Sequence, residues 1–328
     1  METITRFDRP TGRAANTDPS VARSTLMSTV PPPNAPLATR FTGLVLDWYG
    51  ENARDLPWRT ADATPWGILV SEIMLQQTPV SRVLPAYAEW MTRWPTPAAL
   101  AADEPGEAVR LWGRLGYPRR ALRLHECAVA ITTRHGGELP RELEALLALP
   151  GVGAYTARAV ASFAYRQRHA VVDTNVRRVL SRVVTGVADS PPGSAARDLA
   201  LAEPMVPTDA EVAARYAVAV MELGALICTA RAPRCADCPV VADCAWFRAG
   251  KPAYDGPAKR PQGYAGTDRQ VRGRLLAVLR DAEGPVSQSA LDVVWHDAVQ
   301  RSRALDGLVT DGLVDPLPDG RYALPGAR

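Results

Sequence analysis

The chain has 328 residues, 47% hydrophobic and 22% charged, an ordinary composition for a water-soluble globular protein and too long for a single core. No apolar run approaches the roughly 20 residues of a membrane span, and the formal charge of +3 is too small to imply nucleic acid by itself. Four of the five cysteines fall between Cys228 and Cys244, a clustering that argues against a disulfide framework and for metal ligation in a reducing, cytoplasmic setting.

Residues 1–36 carry Pro31, Pro32 and Pro33 and no apolar core, so they are expected to be a disordered extension rather than a secretory signal, with Met27 a candidate start. From Phe41 onward apolar residues such as Leu44, Val45, Trp48 and Tyr49 recur at helical spacing, and the same period returns up to Cys228. The body is expected to be all helical. Pro105 and Pro140 mark helix starts, Gly136 and Gly137 a stop after the segment 119–135, and residues 66–77 a helix carrying Glu72.

Leu149-Pro150-Gly151-Val152-Gly153 lies between two such helices, the second beginning near Ala154. Two glycines one residue apart permit a tight hairpin whose backbone N–H groups face a phosphate oxygen; the alternative for G-x-G alone is an ordinary helix-to-helix turn, which the arginine-rich sequence that follows disfavours. Between Gly151 and Thr185 there are six arginines and one acid, Asp173. Such a field suits a polyanion with chemistry at its centre, or a solvated helix face.

Cys228, Cys235, Cys238 and Cys244 form a C-x6-C-x2-C-x5-C array. Four thiolates on a short segment can hold zinc or a cubane cluster, and a single C-x2-C pair leans toward iron and sulfur. Cys127 lies in a helical apolar pattern and reads as a buried core thiol.

From Arg248 to Arg269 glycine, proline and basic residues replace the apolar period, as in a linker. Beyond it, Val271 to Leu279, Leu291 to Trp295 and Ala304 to Leu313 suggest three helices, and Leu313 to Leu324 a hairpin around Pro318-Asp319-Gly320. Residues 270–328 therefore suggest a small winged helix, with Arg269, Arg272, Arg274, Arg301 and Arg303 available for phosphate contacts.

In order and spacing, the hairpin, Asp173 in Val172-Asp173-Thr174-Asn175-Val176 and the four-cysteine array resemble the helix-hairpin-helix DNA glycosylases that carry a 4Fe-4S cluster, over about residues 41–247. Within that superfamily, Ser71-Glu72-Ile73-Met74-Leu75-Gln76-Gln77-Thr78 and Leu56-Pro57-Trp58-Arg59 are similar to signatures of the MutY-type adenine glycosylases.

The resemblance implies an all-α fold in residues 37–248: a six-helix lobe at about 62–167, and a cluster lobe from 37–61 plus 168–248. Residues 249–269 would link this domain to the winged-helix-like unit. It implies a 4Fe-4S cofactor on the four cysteines and a monomer acting in the bacterial cytoplasm, without membrane attachment, on double-stranded DNA bearing A:8-oxoguanine or A:G mispairs. It further implies Glu72 as acid, Asp173 as the opposing carboxylate, Tyr155 and Asn175 as orienting residues, Tyr117 as a wedge beside the base opposite adenine, and Gln76, Gln77, Gly151 and Gly153 as DNA contacts.

Tyr155 stands where endonuclease III-type enzymes carry a nucleophilic lysine, which implies a monofunctional enzyme. The chain departs from the family at Pro118, where a second tyrosine is common, and residues 270–328 are too few for the Nudix-like domain that ends many adenine glycosylases. The alternatives are an endonuclease III-like or mismatch-specific glycosylase, and a non-catalytic iron-sulfur DNA-binding protein.

Overall fold

The computed structural model describes residues 36–189, 194–256 and 263–326; the expected N-terminal extension and part of the expected linker lie outside these. Helix α1 (Leu37–Asn52) is followed by α2 (Pro65–Leu75), α3 (Val80–Arg93), α4 (Pro97–Ala101), α5 (Pro105–Trp112), α6 (Arg119–Arg134), α7 (Leu143–Leu147) and α8 (Ala154–Tyr165). Then come α9 (Thr174–Leu180), α10 (Ala195–Ala202), α11 (Ala210–Leu226) and α12 (Ala245–Arg248). The C-terminal unit contains α13 (Asp268–Asp281), α14 (Gln288–Asp292), α15 (Ala298–Thr310) and a two-stranded antiparallel ribbon of β1 (Asp315–Pro316) and β2 (Tyr322–Ala323). No helix among the described residues is long and apolar enough to cross a membrane.

Local chemistry starts these helices. Thr64 accepts the Gly67 amide at 3.0 Å ahead of Pro65 in α2, Asp209 accepts that of Val212 at 2.9 Å in α11, and Ser287 and Asp297 cap α14 and α15. Each satisfies an amide that has no partner inside its helix. After α6, Gly136 at φ 63° and Gly137 at φ 86° take the left-handed backbone that ends it.

The boundaries differ from expectation at several places, among them α15, which begins at Ala298 rather than Ala304 because Asp297 supplies the cap. Helix α2 stops at Leu75, because Gln77 enters the left-handed region at φ 54°. Pro140 does not open a helix; it is buried in irregular chain, and α7 begins at Leu143. The second helix of the C-terminal unit begins at Gln288 rather than Leu291, since Ser287 supplies the cap.

Two large cores account for most of the buried apolar side chains. One lies in α2 to α8, where Trp90, Trp94 and Trp112 are fully buried with edge-to-face contacts at 4.6 and 5.6 Å, each worth roughly 0.5–1.5 kcal/mol beyond area burial. Cys127 is buried there, its thiol pushed up to about 12 by desolvation. Leu56 and Trp58 also belong to this core, although residues up to 61 were expected with the cluster lobe. The other core joins α1 to α9, α11 and α12. A small apolar contact of Ala159, Val171 and Ala217 ties α8 to α11 between the two.

The C-terminal unit is not a separate body on a tether: Val271, Leu275, Leu279 and Leu308 share the core of α2 to α8. The arginines expected to grip phosphates are engaged within the unit. Arg303 holds Asp268 with two bonds of 2.8 Å, Arg301 pairs with Asp292 at 2.9 Å, Arg272 pairs with Asp311, and Arg274 and Arg269 lie over the Trp295 and Tyr264 rings. Arg269, Arg274 and Arg303 nonetheless remain exposed.

Candidate active site and cysteine centre

Between the two cores opens a cleft of about 1340 Å³, larger than a typical small-molecule pocket of roughly 300–1,000 Å³. Glu72 from α2, Tyr155 from α8, and Asp173 and Asn175 at the start of α9 all line it, as do Gln76, Gln77, Gly151 and Gly153. Tyr117 does not. It stands on the α5–α6 loop with more than half its surface exposed and φ at 48°.

Glu72 is buried, and desolvation raises its carboxyl to about 7. The neighbouring Tyr155 hydroxyl and Arg59 favour its charge, which offsets part of the effect, whereas nearby Asp173 adds to it. Burial wins because α2 is apolar almost throughout, so the carboxyl exchanges water for hydrocarbon and one phenol.

Asp173 is fixed differently. It is the N-cap of α9: one carboxylate oxygen accepts the Val176 amide at 2.7 Å, the other the Asn175 side-chain amide at 2.8 Å. Burial raises its pKa, while these bonds and Arg178 oppose the rise. A helix N-terminus and two N–H donors favour the charged form. Burial outweighs them, so both carboxyls lie above their ordinary values, Glu72 at about 7; they differ in that Asp173 accepts two N–H donors at a helix N-terminus.

Asn175 is itself positioned. Arg178 donates to its Oδ1 at 2.8 Å, to the Gly224 carbonyl at 2.6 Å and to the Cys228 carbonyl at 2.7 Å. Gly224 is required by close approach: a Cβ there would lie 2.7 Å from Asn175 Cβ and 3.0 Å from its backbone.

At the hairpin, Gly151 has φ 75° and a Cβ there would meet Arg123 Cβ at 2.8 Å, so this turn needs glycine twice over. Gly153 is the N-cap of α8 without a side-chain cap, leaving the first-turn amides facing outward at the cleft.

The sequence reading assigned no role to Glu222. It is fully buried on the cleft wall, bonded by Arg54 at 2.7 and 2.8 Å and Arg59 at 3.0 Å. Burial would raise its pKa, but the two guanidiniums hold it down to about 2. The available signal was a lone acid within the apolar run of α11. Arg120 was missed as well. It donates to the carbonyls of Ile73, Met74 and Gln76 at 2.6–3.1 Å and to Gly116 at 3.0 Å, tying the end of α2 to the Tyr117 loop.

Cys228, Cys235, Cys238 and Cys244 are all free thiols around one small cavity with Val179, Leu223 and Trp246. Arg182 is buried beside it, 3.3 Å from Cys228 Sγ and 4.4 Å above the Trp246 ring. Among the described residues no three His, Cys, Asp or Glu side chains are arranged to hold a single metal ion. The thiols surround a space instead, and a buried guanidinium supplies the counter-charge that a set of thiolates needs.

Residues 70–204 match the HhH-GPD superfamily of base excision DNA repair proteins. The chain is 56% identical over 283 residues to the adenine DNA glycosylase of Mycobacterium tuberculosis, covering 86% of this chain and 92% of that protein. It is 42% identical over 219 residues to the human adenine DNA glycosylase, 63% of this chain and 39% of the human one. Among solved structures, a thermostable thymine-DNA glycosylase superposes with a TM-score of 0.59 at 29% identity, over 65% of this chain and 97% of that one. An endonuclease III–DNA complex, at a TM-score of 0.55 and 20% identity over 66% of this chain and 99% of that one, shares the fold. The helical fold is therefore that of the HhH-GPD superfamily, and this chain belongs to the adenine DNA glycosylase family within it.

Proposed function

We propose that the protein excises adenine mispaired with 8-oxoguanine or guanine from double-stranded DNA by hydrolysing the N-glycosidic bond, without cleaving the strand. The observation that carries this reading is the pair of differently held carboxyls in one cleft: Glu72, raised to about 7 by burial, and Asp173, accepting two N–H donors at a helix N-terminus.

The target nucleotide leaves the stack, since its glycosidic bond is inaccessible in the duplex. Adenine departs poorly as an anion, so Glu72 in its protonated form donates to N7 as the bond breaks. The sugar gains oxocarbenium character, and Asp173 stabilises that charge or traps it covalently, by the two-carboxylate logic of glycoside hydrolysis. Tyr155 holds Glu72, and Asn175 holds Asp173. Gln76, Gln77 and the Gly151–Gly153 turn would contact the strands, with Tyr117 wedged beside the opposite base.

The four cysteines are suited to hold a 4Fe-4S cluster. Bound there, it would cross-link a segment that has little regular structure of its own and fix the Cys228 carbonyl on which Arg178 rests.

A gel assay on duplexes with adenine opposite 8-oxoguanine tests the reading. Strand breaks should appear only after alkali, and borohydride should trap little enzyme on DNA. Tyr155→Lys, which places an amine in the cleft, should raise trapping. Breaks without alkali and equal trapping of both proteins would refute a monofunctional enzyme.

A further inference from the structure

The C-terminal unit meets the six-helix lobe at α5 and at both ends of the loop that follows. Arg280, at the end of α13, donates to the carbonyls of Val109 at 2.9 Å and Gly113 at 2.5 Å. Arg110, near the end of α5, donates to those of Arg280 and, at 2.8 Å, Ala282. Each arginine thus caps the other helix's C-terminus, where carbonyls lack intrahelical partners and a cation is favoured. Burial lowers Arg280 to about 10.

At the start of α5 the Gly106 amide donates to the Pro325 carbonyl at 2.8 Å, and a Cβ on Gly106 would sit 2.6 Å from that oxygen. At the far end of the loop, Arg119 pairs with Asp311 at 3.2 Å, and Asp311 is held in turn by Arg272. The bracketed loop, Gly113 to Pro118, carries three left-handed residues: Gly113 at φ 52°, Gly116 at φ 83° and Tyr117 at φ 48°. A tyrosine in that region is strained by roughly 1–3 kcal/mol and persists where surrounding contacts over-determine it.

We propose that the C-terminal unit acts as a brace on the Tyr117 loop, with Arg280 as its positioning residue, and so sets how strongly the enzyme discriminates the base opposite adenine. The proposal rests on the reading of Tyr117 as the wedge. It gives the C-terminal unit a role that needs no phosphate contacts, in keeping with its internally paired arginines.

The test measures single-turnover adenine release from A:8-oxoguanine and A:G duplexes by the full chain and its Arg280→Ala, Asp311→Ala, Tyr117→Ala and Arg280→Ala/Tyr117→Ala variants. Arg280→Ala and Asp311→Ala should each lower the ratio of the two rates about threefold or more, the range by which coupled sites are usually shifted. In the Tyr117→Ala background Arg280→Ala should have little further effect. Asp311, partly exposed, keeps the test open if Arg280→Ala does not fold. A ratio unchanged by both brace variants but lowered by Tyr117→Ala would overturn the brace alone, as would losses that simply add in the double variant. A ratio unchanged by Tyr117→Ala would overturn the wedge reading and the brace with it.

Discussion

Asn175 donates its side-chain amide to Asp173 at 2.8 Å and, through its oxygen, accepts Arg178 at the same distance. The candidate catalytic carboxylate is therefore held by a residue that is itself pinned to α11 at Gly224 and to the cysteine segment at Cys228.

Gly224→Ala tests this chain of support. The added methyl would collide with Asn175 Cβ and backbone, and overpacking of this kind costs roughly 1–3 kcal/mol. We expect a lower melting temperature and, at temperatures where the variant is folded, slower adenine release with duplex affinity largely kept. Activity equal to wild type in a destabilised variant would separate packing at Gly224 from the placement of Asp173.

The cysteine centre makes a second prediction. Purified protein should be brown and contain about four irons per chain, as four thiolates on a cubane require. Cys235→Ser should reduce the yield of soluble folded protein, because the loop from Cys228 to Cys244 has little besides short turns to hold it. Zinc in place of iron on metal analysis would refute the cluster assignment.

Much of this was legible in the sequence because it depends on local chemistry. The two-glycine turn, the lone aspartate among arginines and the cysteine spacing are short-range patterns, and the family resemblance they carry pointed to residues that line the cleft; the N-cap role of Asp173 emerged only from the structure. What stayed hidden depends on distant partners. Glu222 meets Arg54 and Arg59 from more than 160 residues away, and Arg280 reaches carbonyls of α5 that carry no side-chain signature. The acidic partners of Arg272, Arg301 and Arg303 were hidden for the same reason, since they lie on other elements of the C-terminal unit.

The pH dependence of stability offers a third prediction. Glu72 is raised from 4.5 to about 7 in the folded protein, so ionising it costs more folded than unfolded. Stability is therefore lost as pH rises through that interval and levels off above it. Glu72→Gln has no such loss. Its denaturation free energy relative to wild type should grow between pH 5 and pH 8 by on the order of 2 kcal/mol. Glu222, held at about 2, acts in the opposite sense and only as pH falls below about 4.5, outside this window. A pH-independent difference between the two proteins would mean that Glu72 is not raised.

If Glu72 delivers the proton that lets adenine leave, Glu72→Gln should fail in single-turnover release from an A:8-oxoguanine duplex. Removing a general acid costs about a hundredfold to ten-thousandfold in rate, and glutamine keeps the size of the side chain. The variant's rate should be lower by on the order of a hundredfold or more, with duplex affinity within about threefold of wild type. Release at the wild-type rate by a folded, DNA-binding Glu72→Gln protein would contradict that role.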